Sequence, residues 1–332
     1  MSTAFHLIVG DGVIGQAVAA NLAARGLACQ LASRGGPKSG SPAPCPRIAL
    51  DALDREAFVQ AAQGASHLHL TLGLPYDTAV WQRDWPRVMD NAIAAALTQE
   101  AVLVFFDNIY AYGTGDPQRE LENPIAEEHP RHPPSRKGAI RLGLLGQIER
   151  AAAERGLRWV IARCADFYGP GAVNSMLLAT GIARQLQGKG AQWLGDPELP
   201  HSLTYTDDAA RAQVQLALDP GAWQQAWHLP TAAWGEAPQA MGPTPTPRQL
   251  LAHSARLIGA PETVAAMPAA LLWVLKRFVP ILREVDEMLY QNRQAYVFSS
   301  ARFMQRYPDF RLTPYPEGLA AMVEAARKTK RA

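Results

Sequence analysis

The chain has 332 residues, of which 48% are hydrophobic and 19% charged, with a net charge of +2. Its length exceeds one ordinary domain, and its composition is that of a globular chain able to bury a large core. So small a net charge excludes an electrostatic argument for a nucleic-acid or anionic-membrane partner.

Strand-like and helix-like segments alternate through the first half, the pattern of a parallel sheet covered by helices on both faces. Phe5–Val9 is the first apolar run, and Ala-rich Ile14–Arg25 is a helix ended by Gly26. Ala28–Ala32 reads as the second strand, followed by a Pro/Gly/Ser-rich loop over Gly35–Pro46. A short strand at Arg47–Leu50, a helix at Asp54–Gln63, a strand at His67–Leu72 and a helix at Trp85–Gln99 come next. Ala101–Phe106 is the unbroken apolar strand of a sheet centre. A long helix over 138–155 and a strand at Trp159–Ala162 complete the alternation. Later, a helix at Asn174–Leu186 and a strand at Leu203–Tyr205 are expected. Thr231–Pro247, with six prolines or glycines, reads as a loop, and Glu284–Gln291 as an amphipathic helix whose carboxylates face solvent or form salt bridges. The basic run Arg327–Arg331 reads as a frayed, solvated terminus.

These elements predict a Rossmann-type doubly wound α/β domain over 1–170, with a returning segment at about 201–230, and a smaller C-terminal α/β substrate-binding region from 171–200 and 231–332. The three cysteines, Cys29, Cys45 and Cys164, make no C-x-x-C pair and no metal spacing. No metal is expected, and an odd, low cysteine count suits a reducing compartment. The chain opens almost at once on a strand, without a signal peptide. Its apolar run Ala269–Leu275 is far short of the roughly 18 residues of a membrane span. A cytoplasmic location is therefore expected.

Gly10-Asp11-Gly12-Val13-Ile14-Gly15 fits G-x-G-x-x-G, after a strand and at the opening of a helix. Gly10 permits the tight turn, Gly12 admits a pyrophosphate to the backbone, and Gly15 lets helix and strand pack closely. The helix N-terminus supplies N–H groups and partial positive charge to phosphates. An NAD site usually has Asp or Glu at the end of the second strand. Here Ser33-Arg34 stands there, a hydroxyl and a guanidinium suited to a 2′-phosphate, so NADP(H) is preferred over NAD(H). Asp51-Ala52 after the third strand is placed to meet adenine, and Leu72-Gly73 after the fourth to approach ribose and nicotinamide.

Further segments carry a family resemblance. Phe105-Phe106-Asp107-Asn108-Ile109-Tyr110-Ala111-Tyr112-Gly113, Ala162-Arg163-Cys164-Ala165-Asp166-Phe167-Tyr168-Gly169-Pro170-Gly171 and Pro200-His201-Ser202-Leu203-Thr204-Tyr205-Thr206-Asp207-Asp208-Ala209-Ala210 occur in order, followed by Thr246-Pro247-Arg248-Gln249-Leu250. On these the chain resembles the extended short-chain dehydrogenase/reductases, the NAD(P)-dependent epimerase/dehydratase family. The resemblance implies a seven-stranded Rossmann sheet, a nicotinamide cofactor and a small-molecule substrate. It also implies the frequent homodimer through two long helices, here those near 85–99 and 138–155. The glycine turn is the short form, where the family more often has G-x-x-G-x-x-G.

The family's catalytic Tyr-x-x-x-Lys is absent. Four residues before Tyr112, where the family has serine, stands Asn108, which can donate a hydrogen bond but not relay a proton as a hydroxyl does. In the corresponding helix, 163 − 141 = 22 residues before Arg163 places Arg141 at the lysine and Lys137 at the tyrosine. A second register keeps Lys137 as the lysine and puts Pro133 at the tyrosine. Three roles stay open for Lys137 and Arg141. Lys137 is the proton donor with Arg141 lowering its pKa by like charge, or both clasp the cofactor ribose and phosphates, or both belong to a solvated helix face. Tyr110, Tyr112, Tyr168, His201 and Tyr205 are further donor candidates, and Tyr112, Tyr168 and His201 are substrate-contact candidates as well. An NADP(H)-dependent oxidoreductase acting on a small carbonyl or sugar-like substrate is the leading expectation. A catalytically quiet NADP(H)-binding sensor is the alternative, and an epimerase or dehydratase that retains its cofactor is a third.

Overall fold

The computed structural model describes residues 4–37, 44–235, 242–268, 272–273 and 276–331. The expected loops at 35–46 and 231–247 lie partly outside these residues, as does the apolar run at 269–275. Two compact units form, one from Met1–Tyr112, Arg131–Arg163 and Ala209–Trp227, the other from Gly113–Pro130, Cys164–Asp208 and His228–Ala332.

The first unit is built on seven strands: β1 (Phe5–Val9), β2 (Cys29–Ser33), β3 (Arg47–Ala49), β4 (Ala65–Leu70), β5 (Val102–Asn108), β6 (Trp159–Cys164) and β10 (Gln225–His228). They lie in the order β10-β6-β5-β4-β1-β2-β3. The pairs β1–β2, β1–β4, β2–β3 and β4–β5 are all parallel. Strand order reverses at β1, so β1 and β4 diverge into loops that leave a crevice at their carboxyl ends, where ligands of such sheets bind. Helices α1 (Val13–Ala24), α2 (Arg55–Ala61), α3 (Thr78–Thr98) and α4 (Arg136–Arg155) supply the covering layers. Leu7, Leu68, Phe105, Trp85, Leu144 and Ile148 meet in one core cluster.

Helix starts follow local chemistry. Asp54, Asp77 and Ser135 each accept a hydrogen bond from the N–H three residues on, capping α2, α3 and α4. Gly156 ends α4 in the left-handed region at φ 69°. The start of α3 differs from the sequence expectation by seven residues, since the helix opens at Thr78 and carries Pro86 inside it. Proline usually marks a helix's first turn, but here the Asp77 cap and buried Trp81 and Trp85 hold the preceding turns.

In the second unit, β7 (Asp166–Tyr168) pairs in parallel with β9 (Leu203–Tyr205), and β8 (Ala191–Trp193) with β11 (Val264–Ala266). A capping box between Thr246 and Gln249 opens a helix at Pro247–Ile258. The expected 174–186 helix is a π-type segment, Leu177–Ile182, running into Ala183–Gln185. The expected helix at Glu284–Gln291 is split between Pro280–Asp286 and a 3-10 turn at Leu289–Asn292. The basic tail is a correction too, because it continues the helix Tyr315–Arg331. Arg327 Nη2 and Lys330 Nζ tie it down by donating to Leu257 O and Leu186 O, each at 2.9 Å. Among the described residues, no helix is long and apolar enough to cross a membrane.

A buried histidine ladder crosses β1 and β4. His6 Nδ1 lies 3.0 Å from His69 Nε2, and His69 Nδ1 lies 3.1 Å from Gln213 Nε2. His67 stacks on His6 at 4.4 Å. Burial, reinforced by His67, pulls His6 down to about 4, and burial likewise depresses His69 and His67. The folded state therefore keeps these rings neutral, while the unfolded chain takes up protons below about pH 6.5. Stability present above that pH is expected to fall as pH drops toward 4. The loss from His6 alone is about 3 kcal/mol, measurable by denaturant unfolding at a series of pH values. His6→Gln should flatten the slope.

Candidate functional site

The carboxyl ends of β1 to β5 bring the sequence candidates of the first unit to one edge of the sheet. Gly10 has φ +119°, and a Cβ on it would come within 2.5 Å of the Leu72 backbone. A Cβ on Gly15 would lie 1.8 Å from Gly10 O, whereas one on Gly12 would meet nothing within 4 Å. The turn is thus pressed against the loop after β4 from one side and open on the other. Gly12 supplies no side-chain cap to α1, and no acidic residue stands in its first turn. Arg47 Nη1 lies 3.6 Å from Asp11 Oδ2, balancing the one carboxylate in the turn. An open glycine, an uncapped helix start and a neutralised carboxylate are what a pyrophosphate requires.

Ser33 is half-buried and Arg34 exposed just past β2. The charges of Arg83, Arg87 and Arg34 all act on Asp84 and hold its carboxyl below the ordinary range, while Asp77 also acts on Arg83. Arg83 itself holds Asp84 through two hydrogen bonds of 2.7 and 2.8 Å. Asp51 accepts from Leu53 N at 3.0 Å in a local turn, and Ala52 O accepts from Asn91 Nδ2 at 2.9 Å. Half-buried Val13, buried Ile14, half-buried Leu72 and exposed Gly73 complete the cofactor candidates.

Lys137 is fully buried in the first turn of α4. Its Nζ donates to Thr78 Oγ1 at 2.8 Å and lies 4.6 Å from the centre of the Tyr76 ring. Tyr76 Oη is 3.3 Å from Tyr110 Oη, and Tyr110 stacks on Trp81 at 6.3 Å. Asn108 closes the turn below, its Oδ1 accepting from Tyr110 N at 3.0 Å. Gly138 lets α4 approach this turn, since a Cβ there would sit 2.4 Å from Tyr110 O. An ammonium and two phenols are therefore linked at the ends of β4 and β5.

Arg141, one turn further along α4, faces different surroundings. Its guanidinium rests on Trp85, Trp81 and Phe105 at 4.4, 5.2 and 5.4 Å. Its Nη1 is 3.8 Å from Asp107 Oδ1. Burial draws Arg141 below its ordinary range, with Asp107 opposing. Asp107 also accepts from Arg163 Nε at 3.2 Å, and Arg163 Nη1 donates to Tyr112 Oη at 2.6 Å. Burial works against the charge of Arg163 too, but Tyr112 and Asp107 outweigh it and raise its pKa. Neither helix cation is solvated.

In the second unit, His201 Nε2 meets Asp166 Oδ2 at 3.0 Å, stacked on Tyr296 at 4.6 Å. Tyr168 is packed in that unit's core, stacked on Tyr315 at 5.2 Å, and burial pushes its phenol well above its ordinary range. Its hydroxyl has no hydrogen-bond partner among the described residues.

Thr78, Tyr76, Trp81, Asp107 and Arg163 were not among the sequence candidates. The last two carried a signal, since each is a charge inside a strand that is otherwise apolar. The first three lie in or beside the part of α3 that the proline obscured.

Residues 7–225 match the model of the NAD dependent epimerase/dehydratase family, and the chain belongs to that family. Its fold is that of solved epimerases. A UDP-glucose 4-epimerase with UDP-glucose from Thermotoga maritima is 19% identical with a TM-score of 0.71, over 98% of this chain and 100% of that one. A UDP-glucuronic acid 4-epimerase from Bacillus cereus, in complex with UDP-glucuronic acid and NAD, is 13% identical with a TM-score of 0.75, over 98% and 100%. A UDP-glucose 4-epimerase from Thermus thermophilus, in complex with NAD, is 19% identical with a TM-score of 0.70, over 97% and 99%. No curated protein matches the chain in sequence.

Proposed function

We propose that the protein is an NADP(H)-dependent oxidoreductase of the epimerase/dehydratase type, with Lys137 as the proton donor to a small carbonyl or sugar-like substrate. The observation that carries this is the enclosure of Lys137 by Thr78 and Tyr76, next to the Tyr76–Tyr110 pair. The glycine turn and the α1 N-terminus would hold the pyrophosphate, and Ser33 and Arg34 the 2′-phosphate. Asp51 and Ala52 would border the adenine. When bound, the nicotinamide supplies or accepts the hydride. The chain's own task is then the proton. Lys137 Nζ delivers it to the carbonyl oxygen, or recovers it in the reverse direction, with Tyr110 and Tyr76 as the route for its replacement. Asn108 Nδ2 steadies the same oxygen. Arg141 holds Asp107 and, through it, Arg163 and Tyr112, fixing the floor from which Asn108 and Tyr110 project. His201 and Tyr168 are proposed to shape the second unit's substrate region, not to move protons.

A catalytically quiet NADP(H)-binding protein is the competing reading, favoured by the hydrogen bond that already occupies the Lys137 ammonium. A panel of carbonyl compounds led by nucleotide sugars, with NADPH consumption and product epimers both followed, separates the two. Turnover of at least one class is expected. NADPH binding without turnover of any would favour the quiet protein.

A further inference from the structure

Cys29 lies on β2 and Cys45 two residues before β3. The first register pair of β2 and β3 is Leu31 with Arg47, and Cys29 and Cys45 each precede it by two residues, Cys45 in the bend that leads into β3. The bridge is closed next to Cys45, with Leu31 N donating to Pro46 O at 2.9 Å. Neighbouring strands run roughly 4.8 Å apart, inside the Cα separations of roughly 4.4–6.8 Å that disulfides span. Residues opposite one another in a parallel pair point to the same face. The two thiols are near enough for each to be the largest influence on the other's pKa. Cys29 is buried, its Sγ 3.8 Å from Ala19 O, while Cys45 is partly accessible.

We propose that Cys29 and Cys45 form a reversible dithiol–disulfide pair that covalently ties β2, the strand ending in Ser33, to the start of β3. The pair is asymmetric in the way such chemistry needs. The Cys29 thiol, the Arg47 guanidinium and the Leu31 N–H all favour a thiolate on Cys45 and lower its pKa against the opposing effect of burial, whereas the hydrogen bond with Cys45 and burial raise Cys29. Cys45, the accessible thiol, with Arg47 two residues on, is the attacking sulfur and the buried Cys29 the resolving one. With hydrogen peroxide as oxidant, the Cys45 thiolate takes one peroxide oxygen to become a sulfenic acid and releases hydroxide. The Cys29 sulfur then attacks the Cys45 sulfur, forming the S–S bond, and the sulfenic oxygen leaves as water with the Cys29 proton. Two thiols and one peroxide thus give one disulfide and two waters. A dithiol such as dithiothreitol reverses it by exchange. Cys164, fully buried with its thiol pushed up to about 12, provides an internal control.

The effect on cofactor affinity rests on the proposed role of Arg34; the cross-link itself does not. The full-length chain is treated with hydrogen peroxide, alkylated and mapped without reduction, and NADPH affinity is measured in both states. The expected result is a linked Cys29–Cys45 peptide, an unmodified Cys164, and at least a threefold change in NADPH Kd that dithiothreitol restores. In Cys29→Ser, Cys45 should instead accumulate as a sulfenic acid that dimedone traps. Wild type without the linked peptide, with Cys45 intact or over-oxidised, would overturn the proposal; complete cross-linking with an unchanged Kd would support the thiol pair and overturn its effect on the cofactor. A chain that cross-links but binds NADPH in neither state contradicts the cofactor reading and leaves the thiol pair supported.

Discussion

Asp107→Ala is expected to destabilise the fold by about 3–5 kcal/mol. The Asp107 side chain is fully buried at the end of β5 and faces two guanidiniums, Arg163 at 3.2 Å and Arg141 at 3.8 Å. Both arginines are almost wholly enclosed. Removing the one carboxylate leaves two buried charges without a counter-ion, the case in which breaking a buried pair costs most. Arg163 keeps its hydrogen bond to Tyr112, and Arg141 keeps its aromatic faces, so the chain should still fold at low temperature. Asp107→Asn, which retains an acceptor oxygen but not the charge, should lose about 1–3 kcal/mol. Denaturant unfolding of the three proteins at one pH checks the order. Equal stability of wild type and the alanine variant would show that Asp107 holds neither arginine.

Lys137→Met is expected to lower kcat by roughly 10²–10⁴-fold, the usual worth of a positioned general acid, while NADPH Kd changes by less than about threefold. Methionine keeps the stem and removes only the ammonium, so the buried site loses a hydrogen bond to Thr78 and gains no cavity. The two remaining roles for Lys137 predict otherwise. If it clasps ribose or phosphate, affinity falls together with kcat; if it is only structural, melting temperature falls and the remaining folded protein turns over normally. Steady-state kinetics, cofactor titration and thermal melting on one preparation separate the three.

The glycine turn was legible because its chemistry is local, resting on three glycines at fixed spacing between an apolar run and an Ala-rich helix. Strand β9 was legible to the residue, and β5 nearly so, for the same reason. What escaped depends on partners far along the chain. The surroundings of Lys137 come from Tyr76 and Thr78, at the foot of a helix whose internal proline suggested a later start. Nothing within a short window pairs Asp107 with Arg163, 56 residues away. The four-residue strand β10 closes the sheet edge, but Gln225 and one short run give it no periodicity to detect. The cysteines showed no C-x-x-C or metal spacing, and the pairing of β2 with β3, which starts two residues after Cys29 and Cys45, is set by residues far apart in the chain.

The central claim is that the strand ends of the first unit hold NADP(H) and read its 2′-phosphate through Arg34. Equilibrium titration of the reduced protein with NADPH and NADH, in wild type and in Arg34→Glu, tests it most directly. NADPH is expected to bind more tightly than NADH by at least about tenfold, about 1.4 kcal/mol, with the preference lost or reversed in the variant. Equal affinity for the two cofactors in wild type, or an undiminished NADPH preference in Arg34→Glu, would contradict it.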